Sequence, residues 1–294
     1  MKTTERWLVA DDGWRLSVLD LMPDEPRAVV VVGHAMMVDR RTVYHPERPS
    51  LCTTLAQQGL RVLVPDLRGH GASGPLARHG GTWSYQRLVD DVPSYLSLAR
   101  EAGLPVGLVG NSLFGHVALA YLGTHGVSVD AMVGFAVNIW NRRWSANTPR
   151  WWLKRSFAQL SSLLVAIAQR FPAYSIGLGN NDEPAAYWEV FVDWVRNDTW
   201  AGDGDYAAAL SRVTCPFLHV LSDGDRLLSQ PDDAIAFTRP LPNREVLRLG
   251  EYCPVAELRG LQPGHVEMVS SPECAPLWRH VGRWLLTNLD GARP

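Results

Sequence analysis

The chain has 294 residues, of which 46% are hydrophobic and 20% are charged, and its formal net charge at pH 7 is −2. These values are typical of one large globular domain, or of a core domain with an inserted cap. A nearly neutral chain has no basic field to attract phosphate backbones, so we expect no nucleic-acid partner. No apolar run reaches the length of about 18 residues that indicates a membrane span, and the N-terminus has no apolar signal segment. We therefore expect no membrane partner.

Four cysteines are present, at Cys52, Cys215, Cys253 and Cys274. They form no CxxC pair and their spacing fits no zinc site, so we expect no bound metal. No glycine-rich phosphate loop follows a predicted strand either, so we expect no cofactor. Scattered thiols are typical of core residues in a reducing compartment, which predicts a cytoplasmic location.

Short apolar runs alternate with helical patterns over the first half of the chain. The predicted strands are 16–22, 28–32, 61–65, 106–109 and 130–137, and the predicted helices are 50–58, 85–102 and 113–122. The run AVVVV at 28–32 is typical of a strand buried on both faces. Pro93 is expected to kink or divide the helix that contains it. The alternation predicts an α/β fold with a mostly parallel sheet and helices on both faces.

The alternation stops between residues 138 and 214, where helical stretches and loops replace it. It resumes with predicted strands at 216–221 and 245–249 and a last helix at 272–289. We interpret this pattern as a core domain, residues 1–138 and 211–294, interrupted by a helical cap at residues 139–210. The cap carries seven of the twelve tryptophans. Most of them are expected to pack inside the cap, with one or two facing an apolar cleft.

The stretch LVGNSLFG at residues 108–115 follows a predicted strand and opens a predicted helix. A serine at such a turn is raised above the sheet edge with its hydroxyl free to attack, so Ser112 is the predicted nucleophile. The turn needs small neighbours, and Gly110 supplies one. Phe114 stands where the G-x-S-x-G pattern has its second glycine, and Gly115 follows one position later. The alternative interpretation is that Ser112 only caps the next helix.

A serine hydroxyl needs a general base, and the base needs a carboxylate that orients it. Among nine histidines, His265 is the predicted base, because it follows a Pro-Gly turn between the last predicted strand and the last helix. The stretch SDGDR at 222–226 ends a predicted strand, where side chains face the ligand crevice of a parallel sheet. Asp225 is the predicted acid and Asp223 is the alternative, although aspartates beside glycine are also common in simple turns.

Attack on a carbonyl produces an oxyanion, which needs N–H donors already in place. One predicted donor is the backbone N–H of Leu113, at the start of the helix after the nucleophile. The other is the N–H of Met36 in the loop GHAMM at 33–37, which follows the AVVVV strand. Met36 and Met37 also offer flexible apolar surface to a substrate. The alternative is that this loop is an ordinary connection.

Five motifs, spread from residue 33 to residue 267, together resemble the α/β-hydrolase superfamily: GHAMM, PDLRGHGASG, GNSLFG, SDGDR and PGHVE. The resemblance implies an eight-stranded sheet with a cap inserted after the sixth strand. It implies a nucleophile, acid and base at Ser112, Asp225 and His265, in that chain order. It also implies oxyanion donors at Met36 and Leu113.

Two positions depart from the common pattern of that superfamily. Phe114 replaces a glycine and is expected to crowd the packing behind the nucleophile turn. Ala35 replaces the glycine that commonly follows the histidine of the oxyanion loop, and its Cβ is expected to restrict that loop. Arg68 and His70, in the stretch DLRGHG, fit the superfamily and are interpreted as structural anchors of a glycine-rich loop.

These residues predict a serine hydrolase that cleaves a carboxylic ester, lactone or thioester through an acyl-enzyme on Ser112. Hydrolysis of an amide or of a carbon–carbon bond is also open. The aromatic cap predicts an apolar or aromatic substrate group, so the expected partner is a small-molecule ester or acyl compound. The first alternative is an acyltransferase that uses the same Ser-His-Asp residues. The second, from a different class, is a non-catalytic protein that binds ligands in the same cleft.

Overall fold

The structure is a computed structural model and describes residues 1–291. The strands of these residues are, in chain order, β1 (Lys2–Val9), β2 (Arg15–Met22), β3 (Ala28–Gly33), β4 (Leu60–Pro65), β5 (Val106–Asn111), β6 (Ala131–Phe135), β7 (Arg170–Phe171), β8 (Glu183–Pro184), β9 (Phe217–Ser222) and β10 (Arg244–Leu249). The helices are α1 (Leu51–Gln57), α2 (Tyr85–Arg100), α3 (Leu113–His125), α4 (Thr148–Ala168), α5 (Ala185–Asn197), α6 (Tyr206–Ala209), α7 (Pro231–Thr238), α8 (Glu267–Ser270) and α9 (Ala275–Asp290).

One sheet of eight strands runs through the molecule in the order β1-β2-β4-β3-β5-β6-β9-β10. The β1–β2 and β2–β4 pairs are antiparallel, and all other neighbours in this sheet are parallel. The predicted α/β-hydrolase fold, with its mostly parallel eight-stranded sheet, is confirmed. Strand β1 was not predicted, because it is exposed along nearly its whole length and has no buried face to create an apolar alternation.

The apolar run of β3 explains why the sheet lies at the centre of the molecule. Val29 and Val31 pack into an apolar cluster with α2 and α3 on one face. Val30 and Val32 pack into a second cluster with α1 and α9 on the other face. Successive side chains of a strand point to opposite faces, so a run without polar residues requires helices on both sides.

The chain leaves the sheet between β6 and β9. This stretch holds α4, α5 and α6 and has its own apolar cluster, in which the rings of Phe171 and Trp188 stack with centroids 3.7 Å apart. It also holds the short antiparallel pair β7–β8, which the helical pattern of the sequence did not predict. We call residues 139–210 the cap, and their separation from the core as a domain stays a prediction.

Three smaller expectations concern single elements. Pro93 does not divide α2, which continues through it as one helix. The four cysteines are free and buried, as expected of core residues, while the cytoplasmic location stays a prediction. In the part of the chain that the structure describes, no helix combines the length and the apolar composition needed to cross a bilayer.

Candidate active site

Ser112 occupies the turn between β5 and α3 with φ 47° and ψ −103°. This backbone conformation is strained for a residue that carries a Cβ, so the surrounding structure must hold it. The Ser112 N–H donates to the carbonyl of Phe135 at 2.9 Å, and the Ser112 carbonyl accepts the N–H of His116 at 3.1 Å. The residue is 8% exposed and forms part of the wall of a cavity. The turn therefore presents the Ser112 hydroxyl at the carboxyl end of β5.

Glycines on both sides of this turn explain how it accommodates Phe114. A Cβ on Gly110 would lie 2.4 Å from the Cα of Gly115, so strand and helix approach each other at these two residues. A Cβ on Gly33 would lie 2.1 Å from Cγ of Phe114, because the aromatic ring fills the space above this glycine. The expectation that Phe114 crowds the turn is wrong, since Gly33 provides the room that its ring needs.

We expect Gly33→Ala to lower the free energy of unfolding by about 1–3 kcal/mol, because the new methyl group and the Phe114 ring overlap. Urea unfolding measures this change. In a Phe114→Ala background the same substitution should cost less, since the ring is gone. Equal costs in the two backgrounds would contradict the pairing of these residues.

His265 and Asp225 meet at the carboxyl end of the sheet. Nδ1 of His265 lies 2.5 Å from Oδ2 of Asp225. That oxygen also accepts the N–H of Ser229 at 3.1 Å, and Oδ1 accepts the N–H of Leu228 at 3.0 Å. Burial alone would raise the pKa of Asp225, but the bond to His265 and the two backbone bonds lower it below its ordinary value. An ionised Asp225 holds the proton of a neutral imidazole on Nδ1 and leaves Nε2 as a proton acceptor.

The alternative acid, Asp223, is directed elsewhere. Its Oδ1 accepts a hydrogen bond from Nε of Arg248 at 2.7 Å, at the protein surface. Two other histidines near the sheet have partners that explain them without catalysis. His219 bonds to the hydroxyl of Thr238 inside the core, and Nδ1 of His116 bonds to the hydroxyl of Tyr85 at 2.9 Å.

The oxyanion loop lies against the nucleophile turn. The N–H of Phe114 donates to the carbonyl of His34 at 3.3 Å, and Met36 forms part of the cavity wall beside Ser112. Within residues 1–291, the N–H groups of Met36 and Leu113 have no hydrogen-bond acceptor. Both therefore remain able to donate to an oxygen atom of a ligand.

Ala35 does not restrict this loop as expected. The left-handed residue of the loop is Met37, with φ 62°, whereas Ala35 has no positive φ. The conformation that would favour glycine thus occurs at Met37, two residues after Ala35. A Cβ at position 35 is tolerated because the backbone there is ordinary, and Ala35 is buried in the cavity wall.

His34 anchors the oxyanion loop in its neutral form. Its Nε2 accepts the N–H of Leu67 at 3.0 Å, so Nδ1 carries the proton and donates to the carbonyl of Ala35 at 2.8 Å. Burial, together with the positive charge of nearby His70, lowers the pKa of His34 to about 3. His34 consequently keeps this arrangement at any pH near neutrality.

His70 is held in the opposite charge state. Its Nδ1 lies 2.9 Å from the carbonyl of Arg68 and its Nε2 lies 3.0 Å from Oε1 of Glu183, so both ring nitrogens face acceptors. Burial opposes protonation, but the Glu183 carboxylate and these hydrogen bonds raise the pKa of His70 above its ordinary value. The His70–Glu183 ion pair is fully buried and joins the core to the cap.

The raised pKa of His70 predicts a pH dependence of stability. Its stabilisation is complete below the ordinary value of 6.5 and is lost as pH rises through the folded pKa, since the folded protein binds the extra proton. Unfolding free energies measured from pH 6 upward should therefore fall by up to about 1.4 kcal/mol per pH unit in that window. His70→Asn should remove this slope and His79→Asn, at an exposed site, should keep it; identical slopes in all three proteins would contradict the assignment.

A cavity of about 360 Å³ lies between the core and the cap and contains Ser112 and His265 in its wall. Its surface is mostly apolar, and Trp140, Trp188 and Trp194 contribute to it, so three cap tryptophans face the cavity instead of the expected one or two. Within the described residues, no aspartate or glutamate lines the cavity.

Two charged residues of the cap were missed by sequence reasoning. Lys154 is buried in the cavity wall, with Nζ 3.4 Å from Oδ2 of Asp233 and 5.3 Å from the ring centre of Trp140. Glu183 is buried beside the oxyanion loop, where its Oε1 accepts the N–H of Met37 at 2.7 Å. Each has a charged neighbour in the sequence, Arg155 and Asp182, so the sequence holds no signal that distinguishes these buried charges from solvated ones.

The sheet, the strained serine turn and the His–Asp pair at the carboxyl ends of the strands together define an α/β-hydrolase. The sequence model of one family, described as serine aminopeptidase S33, matches residues 24–247. Because this match covers most of the chain, the protein belongs to the S33 serine aminopeptidase family of hydrolases.

One curated relative is phospholipase YtpA of Bacillus subtilis (strain 168), which is 31% identical to this chain over 99 residues. The match covers 34% of this chain, and the chain spans only 36% of the length of that relative. Similarity in sequence to this phospholipase is thus local.

Solved structures match over nearly the whole chain. A putative aryl esterase from Burkholderia cenocepacia has a TM-score of 0.60 at 20% identity, and covers 98% of this chain and 100% of its own. Est1E from Butyrivibrio proteoclasticus, solved with ferulic acid bound, has a TM-score of 0.64 at 14% identity, with 97% and 99% covered. At these identities the likeness establishes the fold.

Proposed function

We propose that this protein hydrolyses carboxylic esters through an acyl-enzyme on Ser112. The observation that carries the proposal is the 2.5 Å contact between Nδ1 of His265 and Asp225, beside a cavity that also contains Ser112. In the first step, Nε2 of His265 takes the proton of the Ser112 hydroxyl as its oxygen attacks the ester carbonyl. The N–H groups of Met36 and Leu113 stabilise the resulting oxyanion, and the alcohol leaves with the proton held by His265.

In the second step, His265 removes a proton from water, and the hydroxide attacks the acyl group on Ser112. The free acid is released and the serine regains its proton. The apolar walls of the cavity support an apolar or aromatic group on the substrate, since burying such a group there removes it from water. Lactones and thioesters undergo the same steps, and an acyltransferase differs only in replacing water by another acceptor.

The charge of the cavity favours esters over the amino-terminal peptides suggested by the family description. An aminopeptidase has to bind a substrate ammonium, for which a carboxylate is the natural partner. Within the described residues the cavity wall has no carboxylate, and it contains the buried ammonium of Lys154. Because that ammonium already pairs with the carboxylate of Asp233, the cavity offers a cationic substrate end no free carboxylate.

A panel of p-nitrophenyl esters and amino-acid p-nitroanilides tests this proposal. We expect hydrolysis of esters with apolar acyl groups, release of the free acid even when alcohols compete with water, and little cleavage of the anilides. Preferential anilide cleavage would replace the proposal by peptidase activity. Transfer of the acyl group to the added alcohol would favour the acyltransferase alternative, and ligand binding without turnover would favour a binding protein.

A further inference from the structure

The outer face of α4 is apolar although it faces solvent. Its members are between 45% and 84% exposed: Trp152, Leu153, Leu160, Leu163, Leu164 and Ile167. Tyr174, Ile176 and Leu178, in the loop after β7, are also exposed. We call these nine residues the cap face. A solvent-facing helix normally carries polar residues there, so an exposed apolar strip of this size indicates a surface that binds something.

The cap face continues into the cavity. Leu153 and Leu178 belong to the cap face and also line the cavity, while Leu227 and Leu228, after β9, are exposed and line it too. The apolar surface of the cap face is therefore continuous with the wall of the cavity that contains Ser112.

The stretch of chain that contains the cap face carries charge of one sign, and two of its cations pair with acids outside the stretch. Residues 131–181 contain six Lys or Arg and no Asp or Glu, so with a net charge of −2 overall the rest of the chain carries −8. At about 100° per residue along a helix, Arg150 and Arg155 fall on the two sides of the α4 strip. Within residues 1–291 neither forms an ion pair, and the Arg155 guanidinium donates to backbone carbonyls.

We propose that the cap face docks onto an anionic lipid surface. A helix with an apolar strip, flanking cations and an exposed tryptophan has the composition that lies in the interface of a bilayer. Such docking needs no membrane-spanning segment. The sequence-based expectation of no membrane partner depended on the lack of such a segment, so it does not bear on docking. We add that ester substrates enter the cavity from the lipid surface, which rests on the proposed function.

Vesicle co-sedimentation of the full-length protein tests the docking. We expect binding to vesicles of phosphatidylglycerol to be at least about ten-fold tighter than to vesicles of phosphatidylcholine, and weaker at high salt. The double variant Leu160→Glu, Ile167→Glu should lose binding, whereas Tyr252→Glu, which alters an exposed apolar residue outside the cap, should keep it. Absence of binding, or binding that the cap variants leave unchanged, would overturn the proposal.

Two further measurements separate the possible outcomes. Sedimentation velocity tests whether the cap face pairs with a second copy instead; a dimer that the double variant dissociates, without vesicle binding, would overturn lipid docking. Hydrolysis of p-nitrophenyl acetate, which is soluble, should be the same in wild type and double variant. Vesicle binding by a protein without any ester hydrolysis would leave the docking standing and remove the proposed function.

A second, independent observation concerns Met37, which follows the oxyanion donor Met36. The left-handed conformation of Met37 is costly for a residue other than glycine. The cap holds this residue on both sides: Oε1 of Glu183 accepts its N–H at 2.7 Å, and the N–H groups of Asn180 and Asn181 donate to its carbonyl, each at 2.9 Å. The approach is so close that a Cβ on Gly179 would lie 2.2 Å from the Met37 oxygen.

We infer that Glu183 is a positioning residue for the oxyanion hole, an inference that rests on the proposed function. By holding the N–H of Met37, Glu183 fixes the peptide group between Met36 and Met37. It thereby restrains the backbone of Met36, whose own N–H is to donate to the oxyanion. Its ion pair with His70 keeps the carboxylate in place inside the protein. The oxyanion hole is thus complete only while the cap is seated on the core.

Kinetics of Glu183 variants test this role. Glu183→Met keeps the side-chain length but removes the acceptor, and should lower kcat about 100-fold while KM changes less than about three-fold, as for a displaced oxyanion donor. Glu183→Gln should retain most activity, because its amide oxygen still accepts the Met37 N–H. Asp182→Asn is the matched control, because Asp182 bonds within the cap to Arg170 and Tyr174.

If Glu183→Met does not fold, Glu183→Asp supplies the same test, since the shorter side chain cannot reach Met37 and His70 together. Equal loss of kcat in the Glu183 and Asp182 variants, or a loss confined to KM, would overturn the positioning role. A protein without ester hydrolysis in any form would instead remove the proposed function on which it rests.

Discussion

Ser112→Ala is expected to lower kcat for ester hydrolysis by about 10⁴-fold or more, with correct folding and little change in substrate binding. The residual rate would come from the oxyanion donors and the cavity, which the substitution leaves intact. Removing the hydroxyl should leave the stability of the fold nearly unchanged, because the strain at this turn lies in the backbone and not in the side chain. Steady-state kinetics on the best p-nitrophenyl ester, with circular dichroism as a check on folding, measures the effect.

The matched control for that variant is Ser211→Ala. The Ser211 hydroxyl is exposed and donates to the carbonyl of Ala208, outside the cavity. The kcat of the Ser211→Ala variant should stay within about two-fold of the wild-type value, as for most surface substitutions. An active Ser112→Ala protein would show that the hydrolysis proceeds without this nucleophile.

Asp225→Asn is expected to have the second-largest effect, a loss in kcat of about 10⁴-fold. An amide at position 225 can present its N–H₂ to Nδ1 of His265, which selects the tautomer that carries its proton on Nε2. That tautomer cannot accept the proton of Ser112. The loss should appear in kcat rather than in KM, since Asp225 does not line the cavity.

The same substitution two residues earlier provides the comparison. Asp223→Asn removes one partner of Arg248 at the surface and touches neither His265 nor the cavity. A surface ion pair contributes about 0–1 kcal/mol, so activity should stay close to wild type. If Asp223→Asn abolished turnover and Asp225→Asn did not, the roles of the two aspartates would have to be exchanged.

Much of the fold could be predicted because its signals are local. The AVVVV run of β3 indicates burial on both faces, and the loss of alternation after β6 indicates an insertion. Strand β1 carries no such signal, since its side chains are exposed and its pairing with β2 is made by the backbone. The β7–β8 pair is too short, at two residues per strand, to produce a periodic pattern.

Prediction at the site was limited for a different reason. Ser112, Asp225 and His265 stand beside turns that sequence patterns describe, whereas the distance between them depends on the fold. The fit of Phe114 over Gly33 joins residues about 80 positions apart, and the contact of Glu183 with Met37 crosses 146 positions. Such contacts need the tertiary structure, so two apparent defects of the pattern, Phe114 and Ala35, become ordinary packing once it is known.

The most direct test of the account is covalent labelling of the folded wild-type protein by a fluorophosphonate, followed by mass spectrometry of the labelled peptide. The account predicts one label on Ser112, none on Ser112→Ala, and much slower labelling of His265→Ala, because only an activated serine attacks phosphorus at an appreciable rate. An unlabelled, correctly folded wild-type protein, or a label on another residue, would contradict the claim that Ser112 is the nucleophile.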